Sequence, residues 1–166
     1  MNEIFKRRSI RKYQAKNVEA EKIEKLIKAA AAAPSAGNQQ PWHFIVIQNR
    51  ERLNKIAEMH PHAKMLKEAP LAIAVCADIS NLKYENYWVQ DCAAATQNIL
   101  LEAVSLDLGG VWLGVYPDEN KEKPLRKLLG LPENIKLVSM VSVGYPSHEK
   151  KPSDRYSQNI VHSEKW

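Results

Sequence analysis

The chain has 166 residues, 45% of them hydrophobic and 26% charged. That is enough for one core and too little to expect two, since single domains usually run about 100 to 200 residues, so residues 1–166 are expected to form one domain. The longest uninterrupted apolar run, Leu71 to Ala77, is seven residues, against about 20 for a helix that crosses a bilayer, and no membrane span is expected. Cys76 and Cys92 sit in apolar stretches and make no disulfide scaffold, and the basic, polar start lacks the apolar core of a signal peptide, which points to a reducing cytoplasm.

The charge is uneven. Lys6, Arg7, Arg8, Arg11, Lys12 and Lys16 face only Glu3 within residues 1–16, which leaves 18 of the 24 basic residues to balance 18 of the 19 acidic ones elsewhere. The whole excess of +5 therefore lies in one short segment. A nucleic-acid binder more often spreads its cations along a face to neutralise many phosphates, so this pattern suits a local anion site.

Taken along the chain, Glu19 to Ala33 places Ile23, Leu26, Ile27, Ala30 and Ala33 at three- and four-residue intervals, which predicts an amphipathic helix ended by Pro34. Phe44–Gln48 and Leu71–Ala77 read as strands, the second buried on both faces. His60 and His62 flank Pro61 in what reads as a surface loop. Tyr84 to Asp107 lacks Pro and Gly and predicts a helix about 36 Å long. Its apolar positions cover more than one stripe, and Ala93, Ala94 and Ala95 thin its middle, as expected if a second copy packs there. Gly110–Val115 then reads as a strand, Lys121–Leu129 as a helix and Leu137–Val143 as a strand, with prolines as punctuation between segments. The class is mixed α and β.

Common chemical signatures are missing. There is no GxGxxG after a strand, no GxxxxGK[ST], no HExxH, and no constellation of acid, base and nucleophile. Three weaker pieces stand out. Arg7-Arg8-Ser9-Ile10-Arg11 packs three guanidinium groups and a hydroxyl together, a set matched to phosphate oxygens. Pro34 to Trp42 is a polar loop between two prolines. Gly109-Gly110-Val111-Trp112-Leu113-Gly114 brackets a strand with glycines, where a ligand can approach the backbone.

Together with Asp91 to Leu101 and Gly144-Tyr145-Pro146, these pieces resemble the nitroreductase family of flavoproteins, in consistent order from Arg7 to Trp166. The resemblance implies an α+β fold of three layers, a mostly antiparallel central sheet flanked by helices, with the long central helix at a homodimer interface that holds FMN. It implies that Arg7, Arg8, Ser9 and Arg11 contact the phosphate and ribityl chain. Ser35, Ala36, Asn38 and Gln40 match the loop that the second subunit lays against the flavin. Leu113 and Gly114 match the strand end whose backbone reaches the flavin N5 and O4 region. Arg155 resembles a C-terminal basic residue that returns to the phosphate, and Lys64 a cofactor-contacting lysine of longer members, although Pro61 stands where those members can have a flavin-bonding Asn.

The activity implied is hydride transfer from NADH or NADPH through flavin N5 to a second substrate in ping-pong order, with nitroaromatics, quinones or similar acceptors. No catalytic side chain is expected, because the flavin carries the chemistry. Two alternatives are a specialised flavin enzyme of the reductive dehalogenase type, for which the short connection after the 110 strand leaves little room for a lid, and a non-catalytic basic domain that binds RNA or acidic partners. The second finds little support, since aromatics are only 7% of the chain and only Phe5 and Tyr13 flank the arginines, too few for a base-stacking platform.

Overall fold

The computed structural model describes residues 3–166. Among these, strands β1 (Trp42–Ile47), β2 (Leu71–Asp78), β3 (Gly109–Gly114) and β4 (Ile135–Gly144) form a sheet in the order β1-β2-β4-β3, with every neighbouring pair antiparallel. β3 is thus an edge strand. Helices α1 (Glu3–Lys6), α2 (Ala20–Ala31), α3 (Arg50–Met59), α4 (Trp88–Ser105) and α5 (Glu119–Leu129) surround it, with 3-10 turns at Ala36–Asn38, Lys64–Lys67 and Gln158–Ile160.

Period-two alternation along β2 explains the layers. Ala72, Ala74 and Cys76 join Leu53 and Ile56 of α3 and Leu125 of α5 on one face. Leu71, Ile73, Val75 and Ala77 join Leu26 of α2 and Cys92, Ala95 and Ile99 of α4 on the other. Both faces of the sheet are covered, so β2 is a continuous apolar run although its neighbours are antiparallel. Burying each such Leu or Ile contributes roughly 1.5–3 kcal/mol. The α+β, three-layer expectation stands.

The central helix is shorter than expected. α4 begins at Trp88, because Tyr84 is drawn off to a neighbouring loop: its amide donates to Gln39 Oε1 at 3.0 Å. Helix α3 was not foreseen, although its signals are present. Asn49 caps it by accepting from the Arg52 amide at 2.9 Å, and Leu53, Ile56 and Ala57 are buried at helical spacing. The Arg50 guanidinium reaches across to the carbonyls of Leu66, Lys67 and Ala69 and anchors the Lys64–Lys67 turn. Pro124 departs from the punctuation pattern, lying inside α5.

A bulge shapes the end of β3. The register between β2 and β4 shifts at Val75/Cys76, which face Ser139 and Leu137, leaving Val138 as the extra residue. The Val138 carbonyl accepts both the Val115 and the Tyr116 amides, at 3.2 and 3.1 Å. The chain therefore leaves the sheet just after Gly114.

Candidate functional site

The basic segment runs along the start of β3. Ser9 makes a parallel bridge to Gly110, and the Ile10 amide donates to the Gly110 carbonyl at 3.0 Å. Glycine is required at Gly109 by this approach, because a Cβ there would lie 2.5 Å from Ile10 Cγ1. Ile10 and Tyr13 are the buried anchors. The Tyr13 hydroxyl donates to the Ile10 carbonyl at 2.8 Å and lies 2.6 Å from Ser142 Oγ, and burial pushes its phenol well above the usual range. With the apolar residues turned in, Arg7, Arg8 and Ser9 are half-buried and Arg11 is exposed.

The C-terminal segment folds back on this cluster. The Lys150 ammonium donates to the Ser9 carbonyl at 2.8 Å, and the Arg8 guanidinium donates to the Lys151 carbonyl. A cavity of about 380 Å³ opens here, lined by Lys6, Arg8, Ile10, His148 and Lys150 among others. Lys150 is a cation that the sequence reading did not single out. Arg155 lies further along the same segment and is exposed.

Gly114 marks the other end of β3, four residues beyond Gly110 and so roughly 13 Å away at about 3.3 Å per residue. Unlike Gly109 and Gly110, it has open space around it: a Cβ would meet nothing within 4 Å. Leu113 buries its side chain in the core, and its backbone pairs with Met140 of β4. His60 corrects the surface-loop expectation. It is 1% exposed, and its Nε2 lies 2.9 Å from the Gly114 carbonyl. The exposed members of that loop are Pro61, His62 and Lys64; Lys64 starts the turn held by Arg50.

Ser35, Ala36, Asn38 and Gln40 form a separate group at the N-terminal end of α4. Three left-handed residues, Gly37, Asn38 and Gln40, bend the loop sharply. Gly37 has a second reason to be glycine, since a Cβ would sit 2.2 Å from the Tyr84 ring. Ser35 Oγ accepts the Gln40 amide at 3.0 Å, and Gln40 Nε2 donates to Asn38 Oδ1 at 2.9 Å. Asp91, buried in the first turn of α4, accepts the Ala36 amide at 2.9 Å and Gln39 Nε2 at 2.7 Å. The helix dipole favours an anion at this end.

Asp91→Asn should test that clasp. One donor would then face another donor, and Gln39 cannot simply flip, because its Oε1 already holds Tyr84. The expected cost is about 1–3 kcal/mol, read as a lower urea midpoint; an unchanged midpoint would show that the clasp contributes nothing.

The described residues therefore bring Arg8, Ser9 and Lys150 to the start of β3, while no hydrogen bond or ion pair of Arg7 or Arg11 joins them there, and they clasp the 35–40 loop to the N-terminal end of α4 as a preformed unit. Residues 4–63 and 57–145 match the model of the nitroreductase family. A protein of Archaeoglobus fulgidus provisionally named NADH dehydrogenase/NAD(P)H nitroreductase is 54% identical over 98% of this chain and 96% of its own. Among solved structures, a provisionally named NADH oxidase of Clostridium acetobutylicum superposes with a TM-score of 0.96 at 52% identity, covering 99% of both chains. An FMN-dependent nitroreductase of Clostridium difficile superposes with a TM-score of 0.91 at 34% identity, again covering 99% of both.

Proposed function

The chain belongs to the nitroreductase family, and from that premise we propose that it is an NAD(P)H-dependent FMN oxidoreductase whose FMN lies along the outer edge of β3. One observation carries the reading. The Ser9–Gly110 bridge sets a cluster of arginines at one end of an edge strand, and the other end is a glycine with open space beside it. This arrangement suits a long ligand with an anionic tail and a flat polar ring.

FMN, when bound, supplies two-electron hydride chemistry, so the protein needs to bind and orient it rather than provide an acid or base. In this reading Arg7, Arg8, Ser9 and Arg11 grip the phosphate, with Lys150 adding to the positive field. The backbone N–H of Gly114, next to Leu113, holds the polar edge of the ring. NADH or NADPH and an acceptor such as a nitroaromatic or quinone then use the one open face in turn.

A homodimer completes the site, with Ser35, Ala36, Asn38 and Gln40 of a second copy covering the ring and Lys64 and Arg155 as further contacts. Apolar surface supports this. Ala94, Leu101 and Val104 of α4 stay half-buried, and Tyr156, Ile160 and Val161 of the C-terminal segment stand exposed, Tyr156 at 71%. No described helix is long and apolar enough to cross a membrane, and a cytoplasmic location is part of the proposal.

Absorbance of the purified protein, followed by anaerobic titration with each nicotinamide, tests the function. Bound flavin should be bleached by NADH or NADPH and restored by an acceptor. A colourless protein that neither quenches added FMN nor is stabilised by it would refute the reading, and a salt-sensitive RNA shift without flavin would favour a binding domain.

A further inference from the structure

His60 ends α3, its amide donating to the Ile56 carbonyl at 3.0 Å. A ring this deeply buried needs partners for both nitrogens, and both have them. Nδ1 lies 3.2 Å from the His62 amide. Because an amide only donates, Nδ1 accepts, the proton sits on Nε2, and Nε2 donates to the Gly114 carbonyl. Burial first, and the nearby Lys121 ammonium, hold the pKa below the usual histidine value, in keeping with a neutral ring.

Strand geometry gives this bond its meaning. In an extended residue the N–H and C=O point to the same side. The Val115 amide points to β4, where it meets Val138, so the Gly114 carbonyl, across the same peptide, points away from β4, and the Gly114 N–H points with it to the open edge. A glycine has no side chain to hold that direction. The peptide after Gly114 is instead held on both sides, by Val138 through the Val115 amide and by His60 through the carbonyl.

Resting on the proposed function, we infer that His60 is a positioning residue of the redox site: its Nε2–H holds the Gly114 carbonyl, which keeps this glycine extended, and so keeps its N–H, on the preceding Leu113–Gly114 peptide, aimed at the ring of FMN. A directly aimed donor to a developing negative charge is worth about 10²–10³-fold. Loosening its aim, rather than deleting it, should cost about tenfold in preference for reduced over oxidised FMN, which for a two-electron couple is about 30 mV.

The test compares wild type, His60→Leu and His60→Gln by the dissociation constants of oxidised and reduced FMN. His60→Leu should lose the tenfold preference, while His60→Gln, which can still donate to the Gly114 carbonyl, should keep most of it. Equal preference in wild type and His60→Leu overturns the role, as does an equal loss of affinity for both redox states, the mark of a purely structural residue. A wild type that takes up no FMN overturns the functional reading and this inference together. Should His60→Leu fail to fold, imidazole ¹⁵N shifts of the wild type decide: Nε2 protonated and Nδ1 bare supports the assignment, with a resonance that moves on FMN reduction, and an Nδ1-protonated ring or an unmoved resonance refutes it.

Discussion

Replacing Arg7 and Arg11 together by Ala should sharply reduce the preference for FMN over riboflavin while leaving the fold intact. Each charged hydrogen bond lost to a phosphate costs about 1.5–3 kcal/mol, and because neighbouring cations share one anion the two losses need not add. The combined penalty on FMN is therefore expected at about 3–5 kcal/mol, roughly 10²- to 10⁴-fold in dissociation constant. Riboflavin has no phosphate and should bind the variant as it binds the wild type.

Folding should survive because the inward-facing residues of the segment are Ile10 and Tyr13, whereas Arg7 is half-buried and Arg11 exposed; surface substitutions away from the core usually stay within about 0.5 kcal/mol. Fluorescence quenching titrations with the two flavins decide the matter. If FMN and riboflavin weaken in parallel, or neither changes, the cluster does not hold the phosphate.

Gly114→Leu is the complementary case at the far end of the strand. A Cβ at Gly114 meets no atom within 4 Å, and glycine inside a strand is unfavourable, so the variant should be at least as stable as the wild type. The space it fills is where the ring is proposed to lie. Forcing a side chain into an occupied site costs about 1–3 kcal/mol, and the upper part of that range, roughly 30- to 150-fold in affinity, is expected for both FMN and riboflavin because both carry the ring. Unaltered flavin affinity in a folded variant would place the ring elsewhere. The two variants thus separate the ends of the ligand: one should discriminate by phosphate, the other should not.

Particular residues show how far the chain could be read before it was folded. The continuous run Leu71 to Ala77 announced a strand buried on both sides, and the helix ending before Pro34 followed from apolar spacing, because both are local patterns of burial. Tyr84 to Tyr87 misled for the opposite reason. Their composition suits a helix, and only the contacts of Tyr84 with Gln39 and Gly37 withdraw them from α4. Lys150 escaped notice and His60 read as a surface-loop residue because nothing nearby in sequence indicates their partners: Lys150 meets Ser9 and His60 meets Gly114 only once the sheet has formed.

The order of residues alone determined that positive charge is concentrated near the start, that glycines bracket the 109–114 strand, and that a rigid polar loop follows the first long helix, since each is a property of neighbours in the chain. Folding decided which of these meet. Hydrogen bonds between distant strands put the arginines beside Gly110 and leave the edge of β3 open, a bulge at Val138 releases the chain after Gly114, and burial of one imidazole fixes that glycine's carbonyl. Such pairings depend on the closure of long loops around a common core, and no local pattern encodes which distant group will be waiting.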